Sequence, residues 1–534
     1  MAQAAQEPWW RGAVLYQIYP RSFMDADGDG IGDLAGITAK LDYVAALGVD
    51  GIWLSPIFRS PMKDFGYDVS DYCDIDPLFG TLADFDVLLA KAHRLGLKVI
   101  VDQVYSHTSD EHPWFTESAA SREGPKADWY VWADPKPDGS PPNNWLSVFG
   151  GPAWTWGPQR RQYYLHNFLA EQPDLNFHHS AVQSAVLDAA RFWLDRGVDG
   201  VRLDVVNYYV HDAVLRGNPP ALFAEPPSWP YRYQRHLFDK SRPETLDFAA
   251  RLRALTDQYP NRMMVGEIDD DEPLPRQVEY TEPGRLHTAY SFHLLNGQAA
   301  APRLFAEALN AWTSAAGWPS WSLGNHDVPR FPTRLRGPDA PADLTNALLA
   351  ALFSLRGTIF LYQGEELGLP QAHVPFDQLQ DPFAKRAFVG DAGRDGARTP
   401  FPWTSAAPMG GFTRAERAWL PLDPRHLRLA AERQVAAPGS HLDIARRLIR
   451  LRAEHPALRI GAAQVLPAPD SLLAVAREAG GRRVFCLVNM SAAAIRFAHP
   501  AFAGAVQLNT GLAAELASDE LRLPPYGAAY LSPP

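Results

Sequence analysis

Three acidic residues stand where short apolar runs of the sequence stop. Asp204 closes Gly200-Val201-Arg202-Leu203-Asp204, Glu267 follows Gly266 in the run from Met263, and Asp327 ends Asn325-His326-Asp327. Period-two alternation along a strand sends Arg202 and Asp204 to the same side. An aspartate beside a fixed guanidinium is expected to keep a low pKa and stay ionised, as a nucleophile must at neutral pH. Any one of these acids alone reads as a buried ion pair or a cap on the next helix. Three of them, with Arg202 and the imidazoles of His107 and His326, point to acid-base and nucleophilic chemistry instead. Retaining cleavage of a glycosidic bond needs two carboxyl groups about 5–5.5 Å apart, one ionised to attack the anomeric carbon and one protonated to serve the leaving oxygen. Asp204 and Glu267, on neighbouring strands, suit that pairing, and the charge of Asp204 is expected to raise the pKa of Glu267. Asp327 would grip ring hydroxyls and favour an oxocarbenium-like transition state.

A second acidic pattern has a different chemistry. DADGDGIGD, from Asp25 to Asp33, sets oxygen ligands two residues apart with glycines at the tight turns. That spacing suits a hard cation such as Ca²⁺, with Mg²⁺ the alternative, because a bound cation relieves so many adjacent carboxylates. Its role would be structural and remote from catalysis.

Eight β-branched runs, each followed by a helical pattern, must position these groups: AVLYQIYP from Ala13, GIWLSP from Gly51, LKVIVDQV from Leu97, GVDGVRLD from Gly197, MMVGEI from Met263, AYSFHLL from Ala289, WSLGNHD from Trp321 and TIFLYQG from Thr358. Such an order predicts an α/β fold, a closed (β/α)₈ TIM barrel whose site lies at the carboxyl ends of the strands. The stretches ITAKLDYVAALGV and LADFDVLLAKAHRLGL carry the helical period and finish at glycines. The third and fourth runs are separated by about twice the usual repeat, which predicts an inserted subdomain after strand three. Short alternating runs near the C-terminus predict a terminal antiparallel β-domain. The expected boundaries are 1–102 for the first part of the barrel, 103–172 for the insertion, 173–458 for the rest of the barrel and 459–534 for the β-domain.

Composition narrows the partners. The 534 residues are 46% hydrophobic, enough for a large core, and 50 Lys+Arg against 61 Asp+Glu leave a net charge of -11 without basic runs. Nucleic acid and anionic lipid are thereby disfavoured, and a neutral small molecule is favoured. Cys73 and Cys486 are too few for a disulfide framework, and neither a signal-like start nor a spanning apolar stretch is present. A cytoplasmic monomer or homodimer acting on a small sugar is expected.

DQVYSHTS, GVDGVRLDVVN, GEI and LGNHD, in that order, resemble the four motif regions of glycoside hydrolase family 13, the α-amylase family, and QPDLN from Gln172 resembles the extra motif of its oligo-1,6-glucosidase and α-glucosidase branch. The resemblance implies Asp204 as nucleophile, Glu267 as acid/base and Asp327 as transition-state stabiliser, with His107, Arg202 and His326 holding the sugar at the cleavage subsite. Asp64 and Tyr67, in KDFGYD, are similar to residues that bind the 4-hydroxyl and stack on a terminal glucose. Arg398, in RDGARTP, is similar to the arginine that pairs with that aspartate and closes the pocket for exo action. In the loop from Asp25, the resemblance implies Asp25, Asp27, Asp29 and Asp33 as side-chain ligands and Ile31 through its carbonyl. Phe149 and Phe168 are expected beside the leaving group.

The implied activity is that of a retaining exo-α-glucosidase with transglucosylation, working through a covalent glucosyl-enzyme. The alternatives are an oligo-1,6-glucosidase and a sucrose or maltose isomerase. Ser106 stands before His107 where the family commonly has Asn, and Asp27 stands for the usual Asn of the metal loop. Val205, after the nucleophile, matches an α-1,6 preference, whereas DQVYSHTSDEHPWF and NNWLSVFGGPAW resemble bacterial α-glucosidases of α-1,4 preference, so linkage stays open. The arginine-rich loop of sucrose isomerases is not evident near Phe331-Pro332-Thr333-Arg334. A non-catalytic transporter-associated subunit is disfavoured, since such subunits lack the carboxylates and carry a membrane span.

Overall fold

A computed structural model describes residues 7–222, 229–387, 393–405 and 409–534. All eight expected runs form strands: β1 (Val14–Ile18), β2 (Gly51–Leu54), β3 (Lys98–Gln103), β4 (Gly200–Leu203), β5 (Met263–Ile268), β6 (Thr288–Ser291), β7 (Ser320–Ser322) and β8 (Thr358–Tyr362). They pair in parallel in the order β6-β5-β4-β3-β2-β1-β8-β7. A parallel bridge between Ala289 and Pro319 joins the two ends and closes the cylinder.

The helices form where the sequence supplies caps. α1 (Leu34–Ala45) is capped by Asp33, which accepts from Gly36 N. α2 (Leu82–Arg94) opens on a capping box between Thr81 and Asp84 and ends in Lys91, His93 and Arg94, so both ends suit the helix dipole. α3 (Ser180–Arg196) stops at Gly197, whose φ of 101° lies in the left-handed region that glycine tolerates. Between β3 and α3 the chain makes a helix at Pro113–Ala120 and a three-stranded antiparallel sheet of Trp132–Ala133, Gln162–Leu165 and Trp154–Gly157. It packs on its own cluster around Val131, Trp145, Trp154 and Leu165.

Beyond Gly461 the chain folds into a five-stranded and a three-stranded antiparallel sheet. The five-stranded sheet docks on α4 (Ala342–Ser354), where Arg452 and Arg477 donate to the carbonyls of Phe353, Ser354 and Leu355 at 2.9–3.1 Å. Two buried cations thus satisfy a helix C-terminus, where the dipole favours positive charge.

Inside the barrel, Leu15, Trp53, Ile100, Met263, Val265, Tyr290 and Phe360 fill the lower layers. Above them alternation turns polar groups inward, and the site begins there. Among the described residues no helix is long and apolar enough to cross a membrane. Both cysteines are free.

Candidate active site

A cavity of about 940 Å³ opens at the carboxyl ends of the strands and is lined by Asp204, Glu267, Asp327, Asp64, Tyr67, His107, Phe149 and Phe168, among others. The guanidinium of Arg202, fully buried beneath it, organises the acids. Its Nη1 lies 2.6 Å from Asp204 Oδ1 and 2.8 Å from Asp102 Oδ1, and its Nη2 lies 2.6 Å from Glu267 Oε1. Asp204 and Glu267 therefore hang from the two ends of one planar group and face the same space. Trp53 lies under the cation, 4.9 Å from ring centroid to Cζ, and Tyr290 OH bridges Arg202 and Glu267 at 3.0 Å.

This sharing overturns one expectation. Arg202 alone would hold Asp204 low, but burial dominates and the nearby charge of Asp102 adds to it, so Asp204 is pushed up to about 7. Burial, opposed by Arg202 and reinforced by the charges of Asp204 and Asp327, pushes Glu267 higher, to about 8. Asp102 is raised to about 6 by burial, against the pull of Arg202. Three carboxyls around one cation cannot all ionise cheaply in a dry site, and Glu267 is the member that keeps the proton longest. Its Oε1 is paired with Arg202 Nη2 and accepts from Tyr290 OH, while Oε2 accepts only Val205 N–H at 3.2 Å, so Oε2 is the less engaged of the two oxygens.

Asp327 is held differently. Burial alone would raise it, but His326, Arg398 and Arg394 together keep it far below the usual carboxylate range. His326 Nε2 lies 3.0 Å from Asp327 Oδ2, and Gln17 Nε2 lies 2.8 Å from Nδ1. The amide donates to Nδ1, which assigns the imidazole proton to Nε2, and burial lowers the His326 pKa to about 4, leaving it neutral. Tyr67 lies parallel to His326 with centroids 5.2 Å apart, its OH 2.5 Å from His326 Nε2, and lines the cavity.

His107 donates from Nε2 to Tyr67 O at 2.9 Å and meets Ser106 Oγ at 2.8 Å through Nδ1. Ser106 therefore supplies the donor that fixes this tautomer, although the motif commonly carries Asn there. Phe168 packs against His107 and Phe149, with centroids 5.3 and 5.8 Å away. Arg202 and His326 sit below the cavity wall and act on substrate-facing groups rather than lining it.

The arginine that pairs with Asp64 is Arg394, a correction to the expectation for Arg398. Arg394 Nη2 lies 2.6 Å from Asp64 Oδ1. Arg398 turns instead to Asp327 Oδ1, at 2.9 Å, and to the carbonyl of His326. The two arginines flank the short 3₁₀ turn Asp395–Ala397, and the register of that turn decides which of them reaches Asp64. Sequence reasoning also passed over Asp102, although the alternation applied to strand four points Asp102 inward from strand three. Asp381, which grips Arg394, carries no motif signal.

In the acidic loop, one carboxylate oxygen each from Asp25, Asp27 and Asp29 lie within 4.8 Å of one another. Asp25 is buried and accepts from Gly28 N at 2.6 Å and Gly30 N at 2.8 Å. Asp33 lies outside this cluster: Oδ1 caps α1 through Gly36 N, and Oδ2 accepts from Ala26 N at 2.7 Å and Asp27 N at 3.3 Å. Three converging carboxylates fit a hard cation by their donor chemistry.

The chain matches the family model of the α-amylase catalytic domain over residues 17–461. It is 50% identical to a probable α-glucosidase of Rhizobium meliloti (strain 1021), over 98% of this chain and 96% of that protein. It is 35% identical to the oligo-1,6-glucosidase of Parageobacillus thermoglucosidasius, over 90% of each. Among solved structures it superposes on an α-glucosyl transfer enzyme, XgtA, with a TM-score of 0.96 and 50% identity, covering 99% of this chain and all (100%) of that one.

Proposed function

The chain belongs to the α-amylase family of glycoside hydrolases, and on that premise we propose that it is a retaining, exo-acting α-glucosidase that releases terminal glucose from short α-linked oligosaccharides or glucosides and also transfers it to acceptors. The observation that carries this reading is Asp204 and Glu267 on one guanidinium in a cavity whose wall also carries the Asp64–Arg394 pair. The terminal glucose sits on Tyr67 with its 4-hydroxyl toward Asp64 and Arg394, leaving no room for another sugar beyond. Asp204 attacks the anomeric carbon as Glu267 gives its proton to the departing oxygen, so a glucosyl ester forms and the aglycone leaves as an alcohol. Glu267, now ionised, takes the proton of a water or acceptor hydroxyl that attacks the same carbon. Asp204 is released and the α-configuration restored. Asp327, ionised throughout, stabilises the positive charge that develops on the ring in both steps.

The test is a product profile on maltose, isomaltose and sucrose. Free glucose with α-configured transfer products is expected, and an isomer without free glucose would remove the hydrolase reading in favour of an isomerase. The oligo-1,6-glucosidase reading is favoured by one observation, Val205 lining the cavity beside Asp204, and predominant cleavage of isomaltose would establish it.

A structural cation, Ca²⁺ or Mg²⁺, held by Asp25, Asp27 and Asp29 is part of the same proposal, with Ile31 O as the further ligand the resemblance implies and Asp33 left to cap α1. Adding Ca²⁺ to chelated protein at about 100 times its Kd should stabilise the fold by about 2.7 kcal/mol. The melting temperature should rise accordingly, less so with Mg²⁺, and an Asp27→Ala variant should lose the response. An unchanged melting temperature in the parent chain would leave the loop a turn without an ion.

A further inference from the structure

Arg394 pairs with Asp64 in the cavity wall, yet none of the eight barrel strands carries it. Its position is set by Asp381, which is fully buried and does not line the cavity. Asp381 Oδ1 accepts from Arg394 Nε at 3.0 Å and Nη2 at 2.8 Å, and Oδ2 accepts from the Arg394 backbone N at 2.9 Å. Three bonds from one carboxylate fix both the backbone and the plane of the guanidinium, so that Nη2 reaches Asp64 and Nη1 faces Asp327 at 3.5 Å. Asp381 is pinned in turn, since its backbone N donates to Asp395 Oδ2 at 2.9 Å.

The same carboxylate starts another element. Asp381 Oδ1 accepts from Phe383 N at 2.9 Å, at the beginning of α5 (Pro382–Ala387). Phe383 lines the cavity, its ring 6.0 Å from Phe149 and 5.0 Å from Trp229. Phe149 in turn lies under the Arg394 guanidinium, 4.9 Å from Cζ. The Asp64–Arg394 pair and the aromatic wall of the cavity therefore share one anchor.

We propose that Asp381 is a positioning residue for specificity, which aims Arg394 at Asp64 and couples recognition of the terminal glucose to the seat of Phe383 on the side where the aglycone leaves. An asparagine there keeps the shape but loses the charge. Its amide nitrogen also meets either the backbone N–H or the guanidinium of Arg394 donor to donor, whichever way the amide turns, so the hold on Arg394 is weakened. This inference rests on the exo-acting reading above, and the experiment keeps the two apart.

Asp381→Asn, Asp64→Asn and the double variant of the full chain are compared with the parent on p-nitrophenyl α-glucoside and on maltotetraose. Asp381→Asn should raise KM about tenfold while kcat changes less than about threefold, and maltose should accompany glucose among the first products of maltotetraose. The double variant should be no worse than the poorer single one, because both changes break the same Arg394 contact. Phe383→Ala should weaken glucose binding about threefold in the parent and leave it unchanged in Asp381→Asn. A merely structural Asp381 would lower the melting temperature or the active fraction and leave KM and the product pattern alone. That result, or additive effects of Asp381→Asn and Asp64→Asn, would overturn the proposal. Should Asp381→Asn not fold, Asp381→Glu, which keeps the charge but displaces it, is read the same way. Should the parent turn over no α-glucoside, the functional reading fails, and the positioning claim is then decided by calorimetric glucose affinity in the same set of proteins.

Discussion

Asp204→Ala is expected to lower kcat/KM by about 10⁴-fold or more, because in the proposed mechanism it removes the atom that bonds to the anomeric carbon rather than a group that assists the bond. The loss should be chemical and not a loss of fold. Arg202 keeps Asp102 at 2.8 Å and Glu267 at 2.6 Å, so no buried cation is left unpaired. Three carboxyls crowd that cation, and deleting one relieves a repulsion that burial magnifies, so the melting temperature should not fall. The space left beside the anomeric carbon admits a small anion. Azide, supplied to Asp204→Ala with a substrate whose aglycone leaves readily, should attack from the face that the carboxylate used. The C–N bond forms as the C–O bond to the aglycone breaks, giving the β-configured glucosyl azide. Turnover within tenfold of the parent would take Asp204 out of its role. An α-configured azide would mean that attack comes from the opposite face and that the mechanism is not retaining.

How much of this site was legible from the residues alone depends on whether the determining contact runs along one strand or between distant segments. The placement of Arg202 beside Asp204 follows from alternation within five residues, and the structure returns it as a 2.6 Å ion pair. All eight barrel strands follow from runs bounded by turns and helices. The ionisation of Asp204 does not, because it depends on how many other acids share Arg202, and Asp102 and Glu267 come from neighbouring strands in space, about 100 and about 65 residues away in the chain. The partner of Asp64 was misassigned for a related reason. RDGAR offers two arginines four residues apart, and only the register of the turn between them, fixed by Asp381, determines which one reaches Asp64. Ser106 is the opposite case, in which a departure from the usual residue type still leaves one nitrogen of His107 a side-chain hydrogen-bond partner.

Those electrostatics decide what happens when the proton donor is removed. Glu267→Gln should lower kcat/KM by about 10³–10⁴-fold on maltose, whose departing alkoxide must be protonated, and by far less on glucosyl fluoride, which needs no proton. The two substrates then separate an acid from a residue that only holds the sugar, since loss of a binding contact would slow both alike. The pH dependence carries the sign. The proposed mechanism requires Asp204 ionised and Glu267 protonated, so kcat/KM of the parent should fall as pH drops through the range near 7 to which burial raises Asp204, and fall again as pH climbs through about 8, where Glu267 ionises. The limbs belong to the coupled pair, and they leave a narrow optimum between them. Glu267→Gln has nothing to lose on the alkaline side, so its profile on glucosyl fluoride should be flat above neutrality. Its acid limb should stay close to that of the parent, because Glu267 is already protonated and neutral where Asp204 titrates. An alkaline limb that persists in Glu267→Gln would assign it to another group and leave the leaving oxygen without its donor.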